Sequence, residues 1–210
     1  MNNKFKSNSG PLVNVLRAIV GAVSSVIMFL ILLAINVGQM SSLALYPIST
    51  KLFRKANRMF AQTWWGLSVL WLEKLFGMNF IITGDELNEK ENLILLSNHQ
   101  SMADIPSLFI LGWRNKMLGD MKWFVKDVLK YVPGPGWGML FLGCIFLKRD
   151  WMADKASINR TFKTVVDNDV DLWLISFLEG TRLTAEKHEH AVSFAKQKNT
   201  ISLSISIIYA

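Results

Sequence analysis

A chain of 210 residues with 51% hydrophobic side chains, 8 Trp and 13 Phe has room for one globular domain and an accessory segment. It is too short for two full domains and too polar for a polytopic membrane protein. The formal charge of +7 calls for an anionic partner. Nucleic acid is excluded, since there is no zinc-finger, RRM or helix-turn-helix pattern and no basic run interleaved with stacking aromatics. Cys144 is the single cysteine, which excludes an internal disulfide or cysteine metal cluster and leaves a small core residue.

In chain order, the first element is apolar. No charged side chain occurs in residues 18–50, and 18–37 supplies the roughly 20 apolar residues that a helix needs to cross about 30 Å of hydrocarbon. Lys4, Lys6 and Arg17 with Ser42 and Ala44 imitate a signal peptide, but the run exceeds the usual apolar core of about 7–15 residues, so a retained anchor is expected. Basic residues on both sides leave its orientation open. Lys51, Arg54, Lys55 and Arg58 follow at helical spacing, as a stripe for anionic headgroups or as a plain solvated face. Residues 64–76, with Trp64, Trp65, Trp71 and Phe76, suit the lipid interface.

After Gly77 short apolar runs alternate with amphipathic stretches, the pattern of an α/β fold in which helices flank a mixed sheet. Strands are predicted at 79–83, 92–97, 123–125, 144–147 and 172–177, and helices at 105–111, 137–142, 153–167 and 186–198. Gly84-Asp85 and Pro133-Gly134-Pro135-Gly136 read as turns.

Three polar clusters each follow a predicted strand. The first is Asn98-His99-Gln100-Ser101-Met102-Ala103-Asp104, with Asp104 as an N-cap before Pro106 in the helix's first turn. On a continuous helix, five residues would set His99 and Asp104 about 140° apart, so they meet only if the intervening residues turn. In such a pair the imidazole takes a proton from a hydroxyl, while the carboxylate fixes the tautomer and stabilises the imidazolium. By residue types alone, a structural histidine bonded to a capping aspartate is the first reading. The second cluster, Lys148-Arg149, suits a phosphate or an ordinary solvated turn. The third, Glu179-Gly180-Thr181-Arg182, suits hydroxyl and phosphate contacts or a simple strand-end turn. Three such clusters at strand carboxyl ends fall where open α/β sheets bind ligands.

The ordered set His99-x-x-x-x-Asp104, Ile145-Phe146-Leu147-Lys148-Arg149 and Phe177-Leu178-Glu179-Gly180-Thr181-Arg182 resembles the first three motifs of the glycerolipid acyltransferase family over residues 79–198. The resemblance implies His99 as general base, Asp104 as its orienting partner, and Lys148, Arg149, Glu179, Gly180, Thr181 and Arg182 as acceptor-binding residues. It implies direct acyl transfer from acyl-CoA, as co-substrate, to a lysophospholipid such as 1-acylglycerol-3-phosphate, with no metal and no other cofactor. On this reading residues 1–76 are a membrane anchor with interfacial helices, and 77–210 the acyltransferase domain of an integral protein of the endoplasmic reticulum. Rival readings are another acceptor, such as lysophosphatidylinositol or lysocardiolipin, and a truncated, catalytically impaired membrane protein.

Two departures bear on this. Leu178 stands where many relatives have proline, which frees the backbone there and implies a tuned acceptor preference. Residues 199–210 alternate serine with aliphatics, suiting a strand with Ile201, Leu203, Ile205 and Ile207 on one face, but lack the family's fourth, proline-containing motif, so the domain reads as truncated there. Other features read plainly. His188 and His190 point about 200° apart on a helix and form a solvated face. Lys122, Lys126 and Lys130 recur every four residues, as a solvated face or a CoA-phosphate contact. Pro133 to Gly138 reads as a structural turn at a candidate acyl-chain entrance.

Overall fold

A computed structural model describes residues 10–88, 90–178, 180, 182 and 184–197, apart from the side chains of Ala185, His188 and Ala191. Two long helices lead the chain. Helix α1 (Pro11–Ser41) starts with proline at its first position, where the missing N–H costs nothing, and passes into a 3-10 turn at Ser42–Leu45. Helix α2 (Thr50–Leu70) is capped by the Ser49 hydroxyl, which accepts from the Leu52 amide at 3.3 Å, and ends in a π-turn at Trp71–Leu75.

The strands are β1 (Leu93–Ser97), β2 (Met121–Lys126), β3 (Ile145–Leu147) and β4 (Trp173–Phe177), in the order β1-β4-β2-β3. Every described pairing is parallel. That arrangement suits the nearly unbroken apolar runs, because crossover helices can cover both faces of a parallel sheet, although Ile94 and Leu96 of the edge strand β1 stay exposed. The crossover helices are α3 (Asp104–Arg114), α4 (Pro135–Leu142) and α5 (Trp151–Asp167), and α6 (Ala185–Gln197) follows β4.

Two cores sandwich the sheet. On one face Trp65, Leu108, Met117, Met121, Trp123, Trp173 and Ile175 are buried together, drawing α2, α3 and α4 onto the strands. On the other, Ile145, Leu172 and Leu174 meet Ile158, Phe162 and Val165 of α5. Thus the α/β class with flanking helices and an apolar N-terminal helix is present, and the four later strands lie within a few residues of their predicted limits.

Several expectations are corrected. Residues 79–83 form no strand. No strand among the described residues offers them a ladder, and Ile81 stays exposed. Asp104 is the first residue of α3 rather than its cap, because its carboxylate turns back into the preceding loop. The basic stripe of α2 divides. Arg58 clamps Asp120 through both nitrogens at 2.5 and 2.6 Å, Arg54 donates to Asn168 at 2.9 Å, and Lys51 and Lys55 remain exposed. The tryptophans of α2 turn inward: Trp65 is buried and stacks on Phe109 at 5.1 Å. Lys122, Lys126 and Lys130 do not form one helical face, since the first two lie on β2 and the third on a 3-10 turn. The predicted strand in 199–210 and Lys198 lie outside the described residues.

Helix α1 has 31 residues, about 46 Å at 1.5 Å per residue. Its buried residues, Met28, Leu32, Asn36 and Gln39, form one stripe in the second half, facing α2 and α4. The stripe ends in polar contacts: Asn36 donates to Gln39 at 2.9 Å, Ser42 to the Gln39 carbonyl at 2.6 Å, and Asn57 of α2 to Ser42 at 2.9 Å. Buried amides in an apolar setting must find partners, so these bonds fix how α1 and α2 register. The first half of α1, to Ile27, buries nothing. It is apolar and largely uncovered by the described residues, with only Gly21, near Phe76, and Ser24 half-buried, as suits a membrane-associated segment.

Candidate active site at the carboxyl edge of the sheet

Parallel strands place all their carboxyl ends on one edge, and the three polar clusters arrive there together. Pairing of Ser97 with Phe177 puts the loop after β1 beside the loop after β4, and the Leu178 amide donates to the Ser97 carbonyl at 3.2 Å.

Within the first loop, Asp104 Oδ2 collects three donors: His99 Nδ1 at 2.9 Å and the backbone amides of Gln100 at 2.8 Å and Ser101 at 2.9 Å. With two amides already donating to this oxygen, Nδ1 is placed as the third donor, so in the neutral ring Nε2 is the nitrogen with the lone pair. The opposite ring face is also held, by Phe177 stacked at 4.3 Å and 20°. From Phe177 an aromatic wall runs through Trp123, Phe109 and Trp65 to α2, with successive centroids 5.1 to 6.0 Å apart. Asn98 is buried next to His99 in sequence, and its side-chain amide has no hydrogen-bond partner among the described residues.

The second loop is built the same way. Asp154, buried in the first turns of α5, accepts from the Lys148 and Arg149 amides at 2.8 and 2.9 Å. This holds Arg149 at φ 66°, a left-handed backbone uncommon for a side chain of that size. Arg149 Nη2 then reaches over the end of β2 and donates to the carbonyl of Gly180, which occupies φ 60° as glycine readily does.

Between this edge and α1–α2 lies a cavity of about 1020 Å³, large for a ligand pocket. His99, Arg149, Gly180 and Arg182 all line it. Its deeper wall is apolar and comes from α1, α2, α3, β2 and α4, including Leu32, Trp64, Ile105 and Met139. Lys126, Arg149, Arg182 and Lys187 also line it, and no acid does among the described residues. The cavity therefore joins an anion-attracting end to an oily one.

Asp104 stands buried behind His99. Lys148 is exposed and does not line the cavity. Glu179 and Thr181 lie outside the described residues, as does the side chain of His188. Lys122 is turned away, donating to the last carbonyl of α4, and desolvation pushes its ammonium below its ordinary value. Burial pushes the Cys144 thiol up to about 11, which keeps it protonated and unfit as a nucleophile at neutral pH. Sequence reasoning missed Phe177 as the plate behind His99 and Asp154 as the clamp on Arg149. An acidic residue soon after a Lys-Arg strand end was the available signal for the second.

The acyltransferase family profile matches residues 79–208, the stretch that carries this whole edge. The chain belongs to the glycerolipid acyltransferase family. Its relatives include 1-acyl-sn-glycerol-3-phosphate acyltransferase 3 of Arabidopsis thaliana, 35% identical over 158 residues, or 71% of this chain and 41% of that protein. Another is 1-acyl-sn-glycerol-3-phosphate acyltransferase gamma of Homo sapiens, 32% identical over 174 residues, or 79% of this chain and 45% of that protein. The chain thus spans less than half the length of these curated relatives. No solved structure gives a significant match. Within this glycerolipid acyltransferase family member, the matched region begins just after the two leading helices, yet α1 and α2 supply one wall of the cavity.

Proposed function

We propose that the chain transfers a fatty acyl group from acyl-CoA to the free hydroxyl of a lysophospholipid, 1-acylglycerol-3-phosphate above others, to give phosphatidic acid. The observation that carries this reading is the carboxylate-held imidazole of His99 on the wall of a cavity that is cationic at one end and apolar in its depth. The names of the relatives favour the same acceptor.

His99 Nε2 removes the proton of the acceptor hydroxyl as its oxygen attacks the thioester carbon. The C–O bond forms, the carbonyl electrons move to oxygen, and the tetrahedral oxyanion collapses with cleavage of the C–S bond. The CoA thiolate leaves and takes the proton back from the imidazolium, which Asp104 has stabilised meanwhile. Neither a covalent enzyme intermediate nor a metal is called for. Arg149 and Arg182 hold the acceptor phosphate, and the guanidinium fork suits that planar pairing of donors with oxygens. Glu179, Gly180 and Thr181 belong to the same acceptor-binding turn, and Lys148 acts there only if acceptor binding turns it inward. The acyl chain occupies the apolar depth beneath α1 and α2.

Residues 1–76 act as the anchor, with α1 inserted in the bilayer so that the protein is integral, and residues 77–210 as the acyltransferase domain. The endoplasmic reticulum is the expected membrane. Lysolipid and acyl chain both partition into lipid, so an anchored site meets concentrated substrate. The test is release of CoA thiol by purified protein given acyl-CoA and lysophosphatidic acid. Activity abolished in His99→Ala supports the reading. No release by the wild-type chain with any of a panel of lysophospholipids overturns it.

A further inference from the structure

We propose that the turn between β2 and α4 is a second membrane-inserting element, separate from α1, and that its partner is the acyl-chain layer of a lipid bilayer. The turn runs from Asp127 through a 3-10 helix to Tyr131, then Val132, Pro133 and Gly134. Its apolar side chains split two ways. Leu129 lines the cavity, whereas Val128 and Tyr131 are 63% and 71% exposed and Val132 is also exposed. These three exposed apolar side chains, close in sequence at a cavity rim, form a patch that an apolar layer can cover.

Continuity with α1 identifies that cover. The Gly134 backbone approaches α1 so closely that a Cβ there would lie 3.1 Å from Leu32 Cδ2 and 3.3 Å from Phe29 Cε2. Phe29 and Leu32 stand 11 and 14 residues beyond Ala18, where the charge-free stretch begins, which is about 17 and 21 Å along the helix. On α1 beside this contact Phe29 and Leu30 are themselves exposed. A bilayer that solvates this part of α1 therefore also bathes Val128, Tyr131 and Val132. The charges in the turn suit that position. Lys130 closes on Asp127 at 2.8 and 2.9 Å, so the two enter as a neutral pair, and the Lys130 ammonium lies 5.1 Å from the Tyr131 ring centroid.

The consequence is directional. Leu129, Pro135 and Gly138 carry the cavity lining up to this turn, so an inserted turn opens the apolar depth sideways to lipid, and an acyl chain need not cross water. That purpose rests on the proposed acyl transfer, but the location of the turn does not.

The experiment places an environment-sensitive fluorophore on a cysteine at Val128 in a Cys144→Ala background, with Val166→Cys on the exposed side of α5 as the comparison. Protein is reconstituted in vesicles of phosphatidylcholine and phosphatidylglycerol. A blue-shifted Val128 probe, quenched by bromine-labelled acyl chains but not by aqueous iodide, supports the proposal when the Val166 probe behaves oppositely. Equal iodide quenching at both positions overturns it. So does a blue shift without acyl-chain quenching in a protein of doubled mass, which would mean a second copy covers the turn. A second variant, Val128→Glu with Tyr131→Glu, alters only exposed side chains. It is expected to raise KM several-fold for long-chain lysolipid in vesicles and leave a short-chain, monomeric lysolipid unaffected. An equal effect on both acceptors overturns the proposal. The fluorescence requires no turnover, so its failure and failure of the acyltransferase reading are distinguishable.

Discussion

The loops after β1 and β3 solve one problem in the same way, with different products. In each, a buried aspartate from the first turns of the following helix gathers two consecutive backbone amides: Asp104 those of Gln100 and Ser101, Asp154 those of Lys148 and Arg149. Both carboxylates replace hydrogen bonds that a tight turn would otherwise leave unmade. Only Asp104 also takes a side chain, the His99 ring, so it sets both a backbone and a proton. Asp154 sets a backbone alone, and Arg149 then finds the Gly180 carbonyl for itself. The same device thus holds an imidazole in one loop and a guanidinium in the other, the groups that the proposed acyl transfer uses as base and phosphate grip.

Breaking the two loops separately should expose that difference. The largest effect is expected at the first: His99→Ala or Asp104→Asn should lower kcat by about 10²–10⁴, the usual contribution of a positioned general base, with little change in KM. CoA release under saturating acceptor measures it, and a change confined to KM would count against the assignment. Next, Arg149→Ala should act mainly on KM for the phosphate-bearing acceptor. Loss of a charged hydrogen bond costs about 1.5–3 kcal/mol, roughly ten- to a hundredfold, and a lysolipid without phosphate should show no such penalty. Asp154→Ala should combine a similar KM defect with a lower melting temperature. Its two orphaned amides each cost about 1–3 kcal/mol, whereas Asp104→Asn keeps an acceptor oxygen and should melt closer to wild type.

The smallest effect is a probe of how tightly the second loop is held. Cys144 lies one residue before β3, and burial moves its thiol from 9.0 to about 11. The folded state binds that proton more strongly, so this group's stabilisation is complete below pH 9.0 and fades as pH rises from 9.0 to about 11. Alkylation of Cys144 at neutral pH should therefore be very slow in wild type and faster in Asp154→Ala. Equal rates would separate Asp154 from the packing of β3.

Much of this was legible because it is local. Apolar runs at 93–97, 145–147 and 173–177 announce strands of a parallel sheet, and the apolar stretch 18–37 announces a long helix. The order of His99, Arg149 and Gly180 along those strand ends was visible for the same reason. The apolar segment 79–83 misled because strand propensity needs a partner strand, and a single sequence does not say whether one is adjacent.

By itself the sequence determined the class of fold, the edge of the sheet where the polar clusters gather and the presence of an apolar N-terminal helix, since each follows from periodicity and hydrophobicity within a few residues. Tertiary structure decided the rest: that Phe177 backs His99, that Arg58 spends its charge on Asp120, that α1 and α2 wall the cavity, and that an exposed turn lies beside Phe29 and Leu32. Those contacts join residues tens of positions apart. Their geometry is set by how whole helices settle against the sheet, which no local pattern encodes.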